Sequence, residues 1–392
     1  MPSQPAALAS GGNFRNPIAF TVSPIEPTPI IPEPQASQDA RPRYSADALR
    51  SFAQALFERA GARSDIAADV AAVLLDADLL GHTTHGLALL ALYLDELTHG
   101  RMLGSGEPEV LNRRPAAENW DGKRLPGPWL TLRALERAGT MARTHGTGTI
   151  VIRHSHHIAC LAAYLKRATD QGLVAVIESS DPAVFAVVPH GGIKPFITPN
   201  PIAAGLPTSG DPILIDVSTS ITSMGYVLQE KASGRQLPGP WLIDHEGNAT
   251  RDPAAMVGPP KGALLPLGGL DAGHKGFALA LLVEAMTAGL AGHGRADAAS
   301  GWGGTIFVQV YDPDAFGGVG EFKRQMDFVA ESARKSPVRP GADAVRLPGE
   351  RGAQRYREQL ANGVALYPTI MPALLPWAGK LAVTPPTTLA SI

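Results

Sequence analysis

One cysteine, Cys160, is present among 392 residues. A lone thiol excludes an intramolecular disulfide framework and a zinc cage built from cysteines. An excess of charge of one sign is also missing: 34 basic residues face 36 acidic ones, for a net charge of −2. That balance argues against nucleic acid or an anionic membrane surface as the main partner. Long apolar runs are scarce. The strongest, FALALLVEAMTAGLAG from Phe277, carries Glu284 and is short for a bilayer span. The opening MPSQPAALASGG lacks the basic region leading into an apolar run that marks a signal peptide, so a cytoplasmic protein is expected. Three nucleotide and metal signatures, GxGxxG, GK[ST] and HExxH, do not occur.

What is present has a clear order. Residues 1–42 hold nine prolines and five charged residues, a composition that disfavours helix and central strand and reads as an extended, disordered tail. A docking arm is the alternative. From Tyr44 the pattern becomes helical: Leu49, Phe52, Ala53, Leu56 and Phe57 follow a Ser45 cap. A second helix opens at Ser64 with Ile66, Val70, Val73 and Leu74 on one face, and a third ends at Gly100. PWLTLRALERAGTMARTH predicts another helix, stopped by Gly146. The period then switches. A β-branched run over Thr149–Ile152, a helix from Ile158 to Gln171 and a strand LVAVIES form a strand–helix–strand unit. Further strands are expected at Ile213–Val217 and Ile306–Tyr311, and helices at Gly276–Leu290, Phe322–Ala333 and Gln354–Ala361.

The stretch RHSHHI places His154, His156 and His157 at the end of a strand, where α/β proteins bind ligands. A metal site, an acid–base and a polar loop are all compatible with these residues. Metal needs three or four convergent ligands. HSHH offers at most two facing one way, and no carboxylate lies in the turn. A second cluster, GHTTHGL, sets Thr84 and His85 before a helix. A hydroxyl beside an imidazole can select its tautomer, although helix capping by Thr83 or Thr84 explains the same residues. Two glycine turns lead into helices: LPLGGLDAGHKGF, with Lys275, and LPGER, with Pro348, Gly349 and Glu350. Glycine lets backbone approach a phosphate closely.

With these segments assembled, the chain resembles the malate/L-lactate dehydrogenase family of nicotinamide-dependent oxidoreductases, which also holds sulfolactate and ureidoglycolate dehydrogenases, diketogulonate reductase and ketimine reductases. Eight short motifs recur in order between Tyr44 and Trp377: THG (Thr84–Gly86), SHHI (Ser155–Ile158), VVPHGG (Val187–Gly192), PNPIA (Pro199–Ala203), IDVSTS (Ile215–Ser220), LLPLGG (Leu264–Gly269), GHKGFALAL (Gly273–Leu281) and LPGER (Leu347–Arg351).

The resemblance implies an α/β fold, a mixed sheet flanked by helices that binds NAD or NADP without a Rossmann domain, with a helical lobe. On that expectation residues 43–120 and 335–392 form the helical, substrate-facing lobe and 121–334 the cofactor domain, with a homodimer as the assembly. It further implies that His157, Ile158, Ala159, Cys160 and Leu161 wall the cofactor, joined by Asp216, Val217 and Ser218 and by Lys275, Pro348, Gly349 and Glu350. Thr198 and Asn200 would touch substrate. His85, backed by Thr84, would exchange the substrate proton, with His157 the other candidate. No metal is expected.

Oxidising a 2-hydroxy acid requires loss of a hydride and of the hydroxyl proton, and an imidazole with a pKa near neutrality can take the second. Two positions depart from the family. Many members carry arginine where Leu89 stands, to clamp a substrate carboxylate. Ketimine-reducing members have aspartate where Tyr226 follows Gly225. Arg153 and Lys194 are the other basic groups considered for a carboxylate. The resemblance therefore points to dehydrogenase or reductase chemistry on small 2-hydroxy or 2-oxo acids. A ketimine reductase and a nucleotide- or metabolite-binding protein without turnover are the alternatives.

Overall fold

The structure, a computed structural model, describes residues 41–389. Apart from its last two residues, the tail expected over 1–42 lies outside them. After a short strand β1 (Arg43–Tyr44), the side chain of Ser45 accepts a hydrogen bond from Ala48 N–H and opens α1 (Ala46–Arg59). The five apolar residues predicted for its inner face are all buried. Helix α2 (Ser64–Leu80) buries Ile66, Val70, Val73 and Leu74 and stops at the left-handed Gly81. Helix α3 (Leu90–Thr98) completes this group.

The chain then forms a hairpin, β2 (Glu109–Arg114) and β3 (Ala117–Asp121), followed by α4 (Gly127–His145), β4 (Thr147–Ser155), α5 (Ala162–Thr169) and β5 (Val174–Ser180). Strands β6 (Ile202–Leu206) and β7 (Ile213–Val217) lead to α6 (Met224–Ala232) and three short strands, β8 (Leu242–Ile243), β9 (Ala249–Thr250) and β10 (Ala263–Leu264). Helix α7 (Gly269–Glu284), β11 (Gly304–Tyr311), α8 (Val319–Arg334), α9 (Glu350–Asn362), β12 (Val364–Ala365) and α10 (Ile370–Leu381) finish the described chain.

The main sheet has the order β2-β3-β4-β11-β5-β6-β7. Strands β4 and β5 both run antiparallel to β11 and hence parallel to each other. The strand–helix–strand reading gets their direction right and misses the strand threaded between them. The fold class stands: a mixed sheet flanked by helices. The β2–β3 hairpin lies in the stretch expected to be helical, but β3 pairs parallel with β4 and extends the sheet. One apolar core joins both regions, since Leu49 and Leu74 of the helices share it with Ile150, Ile177 and Val308 of the sheet and Leu374 of α10.

The helix expected from Ile158 begins four residues later, at Ala162. Ala159 sits in the left-handed region at φ 58°, a conformation no helix can include. Residues His156–Leu161 are therefore an irregular turn between β4 and α5. Gly127 fixes where that turn lies. A Cβ there would come within 2.4 Å of the His156 carbonyl oxygen and 2.5 Å of that of His157, so the absence of a side chain lets α4 abut the turn directly.

Candidate active site

The THG turn hangs from the end of α2. His85 N–H donates to the His82 carbonyl at 2.9 Å, and buried Asp78 accepts the Leu87 N–H at 2.6 Å. Burial raises the Asp78 carboxyl to about 7 against the opposing pull of that N–H. Thr84 Oγ1 lies 2.8 Å from His85 Nδ1. On the far side of Thr84 is Gly225 in the first turn of α6, where a Cβ would stand 3.0 Å from Thr84 Cβ. Crowding by the protein lowers the His85 pKa; Asp216 pulls it back up and His82 pushes it further down.

The three histidines of the second cluster have three different fates. His154, at φ 50°, directs Nδ1 to Asp121 at 2.9 Å and lies against His293, the two rings tilted by 58°, in the wall of a separate polar cavity with Arg124 and Asp181. His156 has no exposed surface; its Nε2 meets Glu96 at 3.2 Å, and burial lowers its pKa to about 4. Only His157 turns towards the first cluster. Its ring lies 6.0 Å from that of His85, at 27° between planes.

His157 is held on several sides. Trp302 stacks on it at 4.7 Å, and the Tyr93 hydroxyl lies 2.8 Å from Nδ1. Ala159 N–H also donates to Nδ1, at 3.3 Å. A backbone N–H can only donate, so Nδ1 is bare and the neutral ring carries its proton on Nε2. Burial, reinforced by His85 and His156, holds its pKa well below the usual histidine value. The site thus offers an obligate donor edge on His157. On His85 the tautomer depends on the direction of the Thr84 hydroxyl.

Strand β7 brings in the remaining group. Asp216 Oδ2 accepts the Ala162 N–H at 2.9 Å and the Cys160 thiol at 3.6 Å, joining the His157 turn to the sheet edge. Ile158, Ala159, Cys160 and Leu161 are buried behind it, whereas Val217 is 45% exposed. Ser218 Oγ donates to the Pro199 and Ser220 carbonyls. The LPGER turn reaches the same strand: Leu214 N–H donates to the Pro348 carbonyl at 3.1 Å, with Gly349 at φ 93° capping α9. Glu350 is occupied with Arg334 and the Leu347 N–H. Lys275 stands exposed on α7, with no ion pair among the described residues.

Thr198 and Asn200 do not offer the free polar atoms expected of a substrate contact. Both are buried. The Asn200 amide donates to the Ala280 carbonyl and to Glu284, and its oxygen accepts from Thr198. They brace the sheet against α7. Leu89 is buried and brings no charge; Arg153 is bonded to Asp121, and Lys194 is exposed. Tyr93, Asp78 and Trp302 were not legible in the sequence. Each occupies an apolar-looking or loop position, and only the fold reveals what it touches.

A family model described as malate/L-lactate dehydrogenase matches residues 44–375. The chain is 36% identical over 245 residues to (2R)-3-sulfolactate dehydrogenase (NADP(+)) of Chromohalobacter salexigens, covering 62% of this chain and 70% of that one. It is 32% identical over 321 residues to Delta(1)-pyrroline-2-carboxylate/Delta(1)-piperideine-2-carboxylate reductase of Pseudomonas putida, covering 79% and 89%. Among solved structures, malate dehydrogenase from Entamoeba histolytica superposes with a TM-score of 0.84 at 23% identity, over 88% of this chain and all of that one. Fold, motif order and family model agree, and the chain belongs to the malate/L-lactate dehydrogenase family.

Proposed function

We propose that the chain is an NAD(P)-dependent oxidoreductase that interconverts a small 2-hydroxy acid and its 2-oxo acid. The observation that carries this reading is the pair of half-buried, near-parallel imidazoles of His85 and His157, 6.0 Å apart. His157 donates through Nε2–H to the substrate oxygen. His85, with Nδ1–H donated to Thr84, presents a bare Nε2 that takes the hydroxyl proton in oxidation and returns it in reduction. Their lowered pKa values keep both rings neutral at pH 7, as these roles require.

The residues fit a nicotinamide. The buried Ile158–Leu161 turn and exposed Val217 supply an apolar wall, and the Asp216 carboxylate marks its polar end. The bound cofactor would supply the hydride acceptor. Lys275 and the Pro348–Gly349 turn are assigned to its more distant, charged portion. With Leu89 in place of a clamping cation, the substrate carboxylate is met by other groups, and the identity of the acid follows from them.

A homodimer is part of the proposal. Leu270, Leu279, Leu281, Leu282 and Leu290 on and beside α7 are each 40–53% exposed, an apolar surface that a second copy would cover. No helix among the described residues is long and apolar enough to cross a membrane. Reduction of a cyclic imine carboxylate is the second reading, favoured by the identity to the Pseudomonas putida reductase. A panel of 2-oxo acids and cyclic imines, each scanned for NADH and NADPH consumption, tests both. Turnover of none would leave a binding protein without catalysis.

A further inference from the structure

We propose that His82, Cys160 and Asp216 form a binding site for a borderline-soft divalent metal of the Zn²⁺ class, beside the catalytic pair. One nitrogen, one sulfur and one carboxylate oxygen from these residues all lie within 4.8 Å of one another. Such a mixed set is a familiar zinc environment and a poor one for Mg²⁺ or Ca²⁺, which prefer oxygen alone. The sequence separates the three widely. Folding brings them together from the end of α2, the turn before α5 and the end of β7.

The sulfur–oxygen pair has the spacing that a metal would need. A tetrahedral zinc with Zn–S of about 2.3 Å and Zn–O of about 2.0 Å sets sulfur and oxygen about 3.5 Å apart. Cys160 Sγ and Asp216 Oδ2 are 3.6 Å apart, the contact now bridged by the thiol proton. Asp216 is already oriented by the Ala162 N–H, the kind of outer contact that fixes a ligand. His82 is half-buried in the turn after left-handed Gly81, with its backbone N–H bonded to the Ala77 carbonyl at 2.8 Å. Its ring nitrogen lies within 4.8 Å of both other ligand atoms, and solvent would complete the coordination. Binding replaces the proton between sulfur and oxygen with the metal, and that proton leaves to water.

The consequence rests on the function proposed above. Cys160 and Asp216 belong to the wall assigned to the nicotinamide, and His82 is close enough to His85 to influence its charge. A metal held there excludes the cofactor. Free Zn²⁺ is thus an inhibitor competitive with NAD(P).

Cobalt titration of the chelator-treated full chain tests the site without reference to activity. Co²⁺ should produce a thiolate-to-metal charge-transfer absorption that saturates at about one equivalent per chain. Cys160→Ser should abolish it, and His82→Gln should weaken Co²⁺ binding about a hundredfold. In turnover assays Zn²⁺ should raise the KM for cofactor at constant kcat, and His82→Gln should keep turnover while losing the inhibition. Absence of the absorption, or its survival in Cys160→Ser, overturns the site. Cobalt binding that leaves cofactor affinity untouched overturns the exclusion and removes the nicotinamide from this wall. Absence of turnover in any assay counts against the dehydrogenase reading alone, because the titration is read independently.

Discussion

The hydroxyl of Tyr93 lies 2.8 Å from Nδ1 of His157 and 3.0 Å from the carbonyl oxygen of the same residue. One fully buried phenol thus has a single proton within reach of both the ring and the backbone acceptor of the only histidine in its cluster that faces the site. Tyr93→Phe leaves Ala159 N–H to hold the tautomer, so turnover should fall about tenfold, the usual scale of an outer-contact loss. His157→Gln, which retains an N–H donor near the Nε2 position, should outperform His157→Ala in kcat. Equal loss in both variants would show that donation from Nε2 is not what His157 contributes.

His85→Ala should lower kcat by about 10²–10⁴-fold, the usual worth of a positioned acid–base, while cofactor affinity measured by calorimetry changes little. In the oxidation direction His85 must be unprotonated. Its pKa lies below the ordinary histidine value, so kcat/KM should decline on the acid side at a pH below about 6.5. That decline should vanish in His85→Ala. Its persistence there and loss in His157→Ala would exchange the two roles.

Asp78 makes stability depend on pH. Its folded pKa is about 7, against about 3.9 in an unfolded chain. Between those values the folded state holds a proton that the unfolded state has lost, so this group reduces stability as pH rises through the window. Asp78→Asn keeps an oxygen for the Leu87 N–H and removes the titration. The variant's gain in Tm over the parent should grow from about pH 4 to about pH 7 and then level off. A pH-independent difference would refute the assignment. His156 acts in the opposite sense: with a folded pKa of about 4, it stabilises as pH rises from about 4 to about 6.5, so the difference between the two proteins isolates the carboxyl.

Gly127→Ala places a methyl against the His156 and His157 carbonyls. Overpacking of this kind costs about 1–3 kcal/mol, read as a lower Tm in thermal melts. Because the contact is with the turn that carries His157, to which the proposed function assigns a catalytic role, kcat should also drop. Gly210→Ala, with nothing within 4 Å of the new Cβ, should change neither.

Leu279→Glu combined with Leu282→Glu puts charge on the exposed face of α7. Sedimentation should show a monomer where the parent is a dimer, with unchanged far-ultraviolet dichroism. A monomeric parent protein would overturn the proposed assembly.

Much of this architecture is written in local pattern. The Ser45 cap, the inner face of α1 and the glycine stops after α2 and α4 each follow from residues within a turn or two of one another. The start of α5 does not. Nothing in HHIACL announces that Ala159 adopts a left-handed conformation, because the groups that contact this turn, Gly127, Tyr164 and Asp216, all lie outside it. The same limit hid Tyr93, which occupies a core position of α3 among leucines. Thr198 and Asn200 show a different limit of local reading. Family resemblance marked them as substrate contacts, whereas the three-dimensional arrangement gives their polar atoms to Glu284 and Ala280.

Strand β11 lies between β4 and β5, yet leaves the ribosome long after both: Phe307 pairs with Val151 on one side and Glu178 on the other. During synthesis, β4 and β5 therefore wait with unpaired edges, a slow, non-local closure that exposes a nascent chain to aggregation. Loop Gly301–Gly304, which carries Trp302 onto His157, arrives with the same strand. The turn that carries His157 can be translated early but matures only when the last third of the chain is made. A fragment ending before residue 304 would carry every histidine discussed here and still be unable to form the site.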